Sequence, residues 1–255
     1  MTEIHFHEYK KKDVENAMVV ISFPTVGLIS TIVANYIVSN LKLERIGALI
    51  SDDFYPAAVV QDGVPTPPVR IFAGDNVCGP ANSCDQLVVI ASELPLKTTS
   101  FAPLANTIIK WCREHKCKVV VTIEGTNSPG PIDDEVKVYH VGSNEEAIKQ
   151  MEGMASEPLE SGMVSGLSGL LLYKGNLEDF SVLCLLSEAH VEFPDSRSAA
   201  TVLGVIDKMI PQIKMDPEPL LKEAEIIEEQ VKKAMSQIKP MSPEELPDTP
   251  PGMYG

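Results

Sequence analysis

The stretch AMVVISFPTVGLISTIVANYIVSN, residues 17–40, contains the local pattern that decides the fold. Its first seven residues form a continuous run rich in β-branched side chains, which is typical of a strand buried on both faces. The segment PTVG breaks this run, and the residues after it place apolar side chains on one helical face. Those side chains are Leu28, Ile29, Ile32, Val33, Tyr36 and Ile37. The stretch is therefore predicted to be a strand–turn–helix unit.

The same alternation of strand and helix continues along the chain. Further strands are predicted at 45–50, 68–74, 86–92, 117–125 and 180–190, with an edge strand at 135–141 and a short strand containing His5 and His7. Helices are predicted at 101–116 (with Ser100 as N-cap), 162–176 and 196–210. Because most of these strands are apolar on both faces, we predict a three-layer α/β domain over residues 1–211, in which helices cover a mostly parallel sheet.

The composition limits the classes of function. The formal net charge of −15 repels phosphate backbones and anionic membrane surfaces, so neither nucleic acid nor a membrane is an expected partner. The first residues lack the apolar stretch of a signal peptide, and no apolar run reaches membrane-spanning length, so we expect a soluble, cytoplasmic protein. The five cysteines form no CxxC pair and are expected to be reduced thiols, not a disulfide framework or a zinc ribbon.

Three acidic residues follow buried strands at the edge where the carboxyl ends of parallel strands meet: Glu93, Glu124 and Glu188. Converging there, they could hold a metal or act as acid and base in a phosphorylase- or hydrolase-like enzyme. Alternatively, each caps a helix or pairs with a lysine, because no histidine or cysteine accompanies them at a metal-binding spacing. The sequence also lacks the phosphate-binding patterns GxxxxGKS/T and GxGxxG, so neither a metal nor a cofactor is expected.

Residues 217–239 form a second unit, a predicted helix without a buried strand beside it. Its apolar residues recur at heptad spacing and make a narrow seam. The seam residues are Leu220, Ala224, Ile227, Val231, Ala234 and Ile238. Such a seam either docks on the helix's own domain or packs on a neighbouring subunit, which makes these residues candidates for an oligomer interface.

Residues 240–255 form a third unit, in which five of sixteen residues are proline. Because proline resists both helix and sheet, we expect an extended arm with a reach on the order of 50 Å. At its tip, Met253 can fill an adaptable apolar slot and Tyr254 offers a ring with a hydrogen-bonding hydroxyl, while the Gly255 carboxylate is an anion that a lysine can clamp. The tip is predicted to bind a partner; the alternative is an oligomeric scaffold whose tail is a flexible remnant.

The tip and three internal stretches resemble a known family. The order hydrophobic–Tyr–any residue at 253–255 is similar to the HbYX motif of proteasome activators. The stretches VVISFPTVGLISTIVANYIV (19–38), GLSGLLLYKG (166–175) and CLLSEAHVEFPDSRSAATVL (184–203), in this order, resemble the archaeal members of the proteasome assembly chaperone family. The turn FPTVG departs from that family, whose members more often carry a second glycine there.

The resemblance covers about residues 15–211 and implies a three-layer α/β fold similar to that of nucleoside phosphorylases. It also implies a protein that is not an enzyme and that binds the proteasome core without ATP. In that family the motif inserts between neighbouring α-subunits, where a lysine meets the carboxylate; the matching positions here are Met253, Tyr254 and Gly255. Because family members form homo-oligomers or heterodimers, the resemblance implies a homo-oligomer.

Overall fold

The computed structural model describes residues 3–61, 63–79, 84–127, 136–190 and 194–222. The strands are β1 (His5–Glu8), β2 (Met18–Ser22), β3 (Glu44–Ile50), β4 (Val59–Gln61), β5 (Val64–Thr66), β6 (Val69–Ala73), β7 (Val77–Cys78), β8 (Cys84–Asp85), β9 (Leu87–Ala91), β10 (Val119–Asn127), β11 (Val138–Gly142), β12 (Glu157–Pro158) and β13 (Val182–Ala189). The helices are α1 (Ile29–Asn40), α2 (Thr98–Glu114), α3 (Glu145–Lys149), α4 (Gly166–Glu178) and α5 (Ser196–Met209), with a 3-10 turn at Val26–Leu28.

The centre of the fold is a nine-stranded sheet whose four middle strands are parallel. The order across it is β1-β3-β6-β9-β2-β10-β13-β11-β12, and β9, β2, β10 and β13 run in one direction. Every residue of β2 and β9 is buried, as expected for strands covered on both faces. Antiparallel strands extend the sheet on both sides. The predicted α/β fold is confirmed as a mixed sheet whose parallel strands occupy the middle.

Helices cover both faces of the sheet and give the three predicted layers. On one face, here the α1–α5 face, α1 and α5 pack on strand residues such as Val20 and Val121. On the opposite face, here the α2–α4 face, α2 and α4 pack on residues such as Val19 and Val120. The two clusters separate because successive side chains of a strand point to opposite faces. Among the described helices, none combines the length and the apolar character needed to cross a bilayer.

The local predictions agree with the structure for the long apolar runs. The predicted strand at 17–23 is β2, and the predicted helix at 196–210 is α5, which begins at Ser196 as expected. The predicted edge strand at 135–141 is β11, which lies one strand in from the edge because the two-residue β12 pairs outside it.

The N-cap predicted for α2 is wrong. The amide of Ser100 donates to the carbonyl of Lys97 at 2.9 Å, so the first turn closes before Ser100 and Lys97 is the N-cap residue. Ser100 lies inside this turn, fully buried, and its hydroxyl has no hydrogen-bond partner in the described part of the chain. The serine that resembled a cap is therefore a core residue.

The cysteines divide into two groups. Cys112, Cys117 and Cys184 are free and buried, as predicted for reduced thiols. Cys78 is disulfide-bonded, so the prediction of a reduced thiol is wrong at this position. In the backbone ladder of β7 and β8, Cys78 pairs with Cys84, which the linear spacing did not indicate because two-residue strands carry no periodic signal.

Candidate functional site

The carboxyl ends of the parallel strands carry a crevice that lies between β2 and its neighbouring strands. The connection after β2 leads to α1 on the α1–α5 face, whereas the connection after the adjacent β9 leads to α2 on the α2–α4 face. Neighbouring strands whose connections leave in opposite directions open a gap between them, which is where open α/β sheets bind ligands. The topology therefore places a candidate site beyond β2, β9 and β10.

The turn after β2 closes one side of this crevice. Gly27 adopts a left-handed conformation with φ of 64°, and a Cβ there would lie 2.8 Å from the Cβ of Ala189. A Cβ at Gly125 would lie 2.0 Å from the carbonyl oxygen of Val26, so the turn crosses directly over the end of β10. Leu28 was predicted on the apolar face of α1, but it precedes that helix at φ of 53° and is exposed. These close approaches require glycine and fix where the turn lies.

A cavity of about 260 Å³ lies in this crevice. We call it the switch cavity, because it lies where the connections after neighbouring strands change from one face of the sheet to the other. Its apolar wall consists of Ile21, Phe23, Leu96, Phe101, Ile123 and Leu167, with Pro24 and Pro95 at the turns. Its polar wall consists of Thr25, Glu124, Ser165 and Ser168. None of the described residues that line it is basic. The cavity is just smaller than the roughly 300–1,000 Å³ of pockets for drug-sized ligands, so it suits a compact molecule.

Glu124 is the titratable group of the switch cavity. Its Oε1 accepts a hydrogen bond of 2.5 Å from the hydroxyl of Ser168 at the start of α4. Burial raises the pKa of the Glu124 carboxyl above its ordinary value, and the hydrogen bond from Ser168 opposes that shift only in part. On the neighbouring β13, burial raises the pKa of the Cys184 thiol to about 12, so this group is neutral. Burial therefore disfavours ionisation of the Glu124 carboxyl in this site.

The structure does not bring the three predicted acidic residues together. Glu93 forms an ion pair with Arg70, which reaches it from β6 on the α1–α5 face and stacks on Phe72 with 5.6 Å between guanidinium and ring centroid. Glu124 lies on the opposite, α2–α4 face. Glu188 shares the face of Glu124, since it lies two residues beyond Leu186, the register partner of Glu124, but it does not line the switch cavity.

Sequence reasoning missed the partner of a histidine at the same edge of the sheet. The partner is Asp195, which is buried. Its Oδ1 accepts a hydrogen bond of 2.9 Å from the amide of Ser198 and so caps α5. Its Oδ2 lies 2.7 Å from Nδ1 of His190. The local signal was Asp195 immediately before a predicted helix start, which is a typical N-cap pattern. No cluster of three metal-ligating side chains occurs among the described residues, and the pair fixes the end of β13 to the start of α5.

The described chain ends where the predicted C-terminal helix begins. Residues 218–222 are helical, and Leu220 is buried in the core of its own domain, where it lines a groove with Ile32 and Tyr36 of α1. The hydroxyl of Tyr36 donates to the carbonyl of Asp216, and the amide of Met215 donates to Asp207 at 2.8 Å. The start of the extension is therefore held against α1 and α5.

The other predicted site residues lie outside the described residues. These are the seam residues Ala224, Ile227, Val231, Ala234 and Ile238 and the tip residues Met253, Tyr254 and Gly255. For Leu220, the first residue of the seam, the structure shows packing on its own domain, which is the first of the two alternatives that the heptad pattern left open.

Comparison with known proteins finds relatives over nearly the whole chain. The sequence pattern of the PAC2 family matches residues 19–235. The protein MJ0106 of Methanocaldococcus jannaschii is 29% identical over 238 residues, which are 93% of each chain. The crystal structure of Pyrococcus furiosus PbaA, described as an archaeal homolog of proteasome-assembly chaperone, has 30% identity and a TM-score of 0.78 over 92% of each chain.

A second solved structure shares the fold at lower identity. Pyrococcus furiosus PbaB, described as an archaeal proteasome activator, is 21% identical, with a TM-score of 0.79 over 92% of this chain and 100% of its own. At that identity the likeness shows the fold alone. The match to PbaA, at higher identity over nearly both whole chains, is the more informative of the two.

Proposed function

This chain belongs to the PAC2 family, and on that premise we propose that it is an assembly chaperone or activator of the proteasome that acts without ATP and is not an enzyme. The observation that carries the proposal is the match to PbaA, an archaeal homolog of proteasome-assembly chaperone, over 92% of both chains. A match of that extent includes the whole α/β domain and not only a shared motif. The absence of a Walker-type phosphate-binding pattern from the sequence supports independence from ATP.

In this proposal the partner is the α-ring of the proteasome core, and the contact is made by the last three residues. Met253 fills an apolar slot, Tyr254 inserts its ring, and the carboxylate of Gly255 meets a lysine of a pocket between neighbouring α-subunits. The segment 240–255 contains five prolines, which limits the conformational freedom lost on docking. A semi-rigid arm of this length would separate the tip from the α/β domain.

The described structure supports this arrangement at the start of the C-terminal segment that leads to the arm. Leu220 is buried, Tyr36 holds the carbonyl of Asp216, and Asp207 holds the amide of Met215. The extension therefore starts from a fixed point on α1 and α5. A fixed starting point raises the effective concentration of the tip at a pocket within reach.

Self-association would strengthen a contact of only three residues. We propose a homo-oligomer in the cytoplasm that presents several arms to a ring with several pockets, so that avidity exceeds the affinity of one arm. Residues beyond Leu220 in the predicted helix, from Ala224 to Ile238, are the proposed interface. The net charge of −15 would steer the oligomer toward a basic pocket rim.

The structure gives less support to an enzyme that uses the three acidic residues. Such an enzyme needs its carboxylates in one site, yet Glu93 is paired with Arg70 on one face of the sheet and Glu124 lines a cavity on the other. A phosphorylase also needs a cationic group for its anionic substrate, and none of the described residues lining the switch cavity is basic. Neither requirement is met, so we do not propose this activity.

The test is binding of the full-length protein to purified archaeal proteasome cores, with and without ATP. Tyr254→Ala and the exchange Met253→Tyr with Tyr254→Met should each weaken binding at least tenfold. The exchange keeps the composition and charge of the tail and alters only which side chain enters which slot. Tyr173→Ala is the matched control, because Tyr173 is half-exposed on α4, and it should bind like the unmodified protein.

A peptide of residues 246–255 separates the carboxylate from the side chains. With a free carboxyl terminus it should compete with the full-length protein for the core; with an amidated terminus it should not. Binding of Tyr254→Ala at the level of the unmodified protein would overturn the proposed contact. Failure of the unmodified protein to bind any proteasome core would overturn the proposed function as a whole.

A further inference from the structure

The carboxyl of Glu124 in the switch cavity has hydrogen-bond acceptors that the fold itself does not use. The hydroxyl of Ser168 donates to Oε1, and no other described residue donates to Oε2. A carboxyl oxygen can accept further hydrogen bonds, so Oε2 remains available to a ligand in the cavity.

The wall chemistry determines the charge of the molecule that would fit. Glu124 is the one ionisable side chain among the described lining residues, and the surroundings include the rings of Phe23 and Phe101. An anion would place a second negative charge beside this carboxyl with no basic group to compensate it. A cation would neutralise the carboxylate, and aromatic faces attract cations as well.

One feature of the cavity wall favours an anion over a cation. The first turn of α4, at Ser165 to Ser168, also lines the cavity, and the amino end of a helix attracts anions. That end already faces Glu124, whose Oε1 accepts a hydrogen bond from the hydroxyl of Ser168. The position that a ligand anion would occupy is therefore held by a carboxyl of the protein itself.

We propose that the switch cavity is a binding site for a small primary amine with a compact apolar body. The ammonium group would donate an N–H to Oε2 of Glu124, and the apolar body would contact Phe23 and Phe101. A volume of about 260 Å³ admits a molecule of the size of an arylalkylamine and excludes a nucleotide. This site is separate from the C-terminal residues and does not depend on the proposed function.

The pH dependence of binding follows from the groups that face Glu124. They are Ser168 from α4, Thr25 from the turn after β2, and Cys184 from β13, whose thiol has a pKa of about 12 and stays neutral. Burial raises the pKa of the Glu124 carboxyl. An ammonium ion binds the carboxylate form, so binding releases a proton wherever the unliganded carboxyl is protonated. The affinity should rise with pH through the pKa of Glu124.

The experiment uses the full-length protein and benzylamine as the probe, with calorimetry and methyl chemical shifts as readouts. The controls are benzyl alcohol, which is neutral, and benzoate, which is an anion; both have nearly the same shape as benzylamine. Benzylamine should bind with an affinity that increases from pH 5 to pH 8, and it should shift the methyl resonances of Ile21, Ile123 and Leu167. Benzyl alcohol should bind at least tenfold more weakly, and benzoate should not bind.

Two variants locate the charge. Glu124→Gln should lower the affinity for benzylamine at least tenfold and abolish its pH dependence, whereas Glu188→Gln, which removes an acid outside the cavity lining, should leave both unchanged. Equal affinity for the three probes, preference for benzoate, or unchanged binding to Glu124→Gln would overturn the proposal, as would no binding at millimolar benzylamine. The comparison of the three probes tests the charge preference even if Glu124→Gln fails to fold.

Discussion

The guanidinium of Arg70 and the carboxylate of Glu93 form an ion pair on the α1–α5 face of the sheet. The Arg70 side chain is only 2% exposed, and its Nε and Nη1 atoms have no hydrogen-bond partner among the described residues. Among the described residues, the charge of this buried arginine is therefore balanced by one acid, which the linear sequence places just beyond β9. This pairing explains why Glu93 is not available to the switch cavity.

Replacing Glu93 by glutamine should destabilise the protein by about 1–3 kcal/mol, because the buried guanidinium of Arg70 loses its counter-charge. The value is below that of a fully buried pair because the Glu93 side chain is 36% exposed and solvent screens it. Urea unfolding measures the difference. The control is Glu15→Gln, which breaks a pair with Lys116 between two exposed side chains and should have a smaller effect. Equal losses in the two variants would contradict the assigned role of Arg70.

The elevated pKa of Glu124 predicts a pH-dependent stability difference. Because the folded-state pKa of Glu124 exceeds its unfolded value, the folded state binds more protons than the unfolded state. The contribution of Glu124 to the free energy of unfolding is therefore most favourable below the unfolded pKa. It is lost as the pH rises through the folded pKa. The unfolding free energy of the native protein relative to Glu124→Gln should therefore fall as the pH increases from 4 toward neutrality. Urea titrations of both proteins at several pH values give this difference, in which the other carboxyls cancel. A difference that is flat or rises with pH would be the contrary result.

The crossing of Val26 over Gly125 predicts a sharp contrast between two glycines. Gly125→Ala should cost about 1–3 kcal/mol or more, because its Cβ would lie 2.0 Å from a backbone oxygen that has no freedom to rotate away. Gly204→Ala, in the middle of α5 with nothing within 4 Å of its Cβ, should instead stabilise the protein by about 0.5–1 kcal/mol. Thermal or urea unfolding distinguishes the two. If both substitutions act in the same direction, the turn does not lie over β10 as described.

The sequence predicted the central strands and the long helices α1, α2, α4 and α5, because each is a long stretch with a clear apolar pattern. β2 and β9 are buried along their whole length, and the amphipathic faces of α2 and α5 are read directly from apolar spacing. Elements of two or three residues, such as β7 and β8, contain too few positions for a period to be visible. The core of the fold was therefore predictable, and the small hairpins were not.

The candidate site was predictable only in part. The carboxyl edge of the sheet was the expected location, and Glu124 is there. The linear sequence did not show which face each acid takes, because that depends on strand register, and a shift of one residue moves a side chain to the opposite face. Glu93 and Glu124 are separated for this reason. The position of Thr25 in the cavity wall could not be foreseen either, since it follows from the left-handed turn at Gly27 and Leu28.

Two adjacent leucines at the start of the C-terminal segment differ in burial. Leu220 is 4% exposed and packs in the core, whereas Leu221 is 36% exposed. Leu220→Ala should cost about 2–4 kcal/mol in the docking of this segment, and Leu221→Ala should cost much less. Hydrogen exchange at Met215 and Leu220, whose amides are bonded to Asp207 and to the carbonyl of Pro217, measures the docking. Leu220→Ala should also weaken proteasome binding less than Tyr254→Ala does, because a released starting point lowers the effective concentration of the tip but leaves its contacts intact. If Leu221→Ala instead has the larger effect on exchange, the helix docks through a different face from the one described.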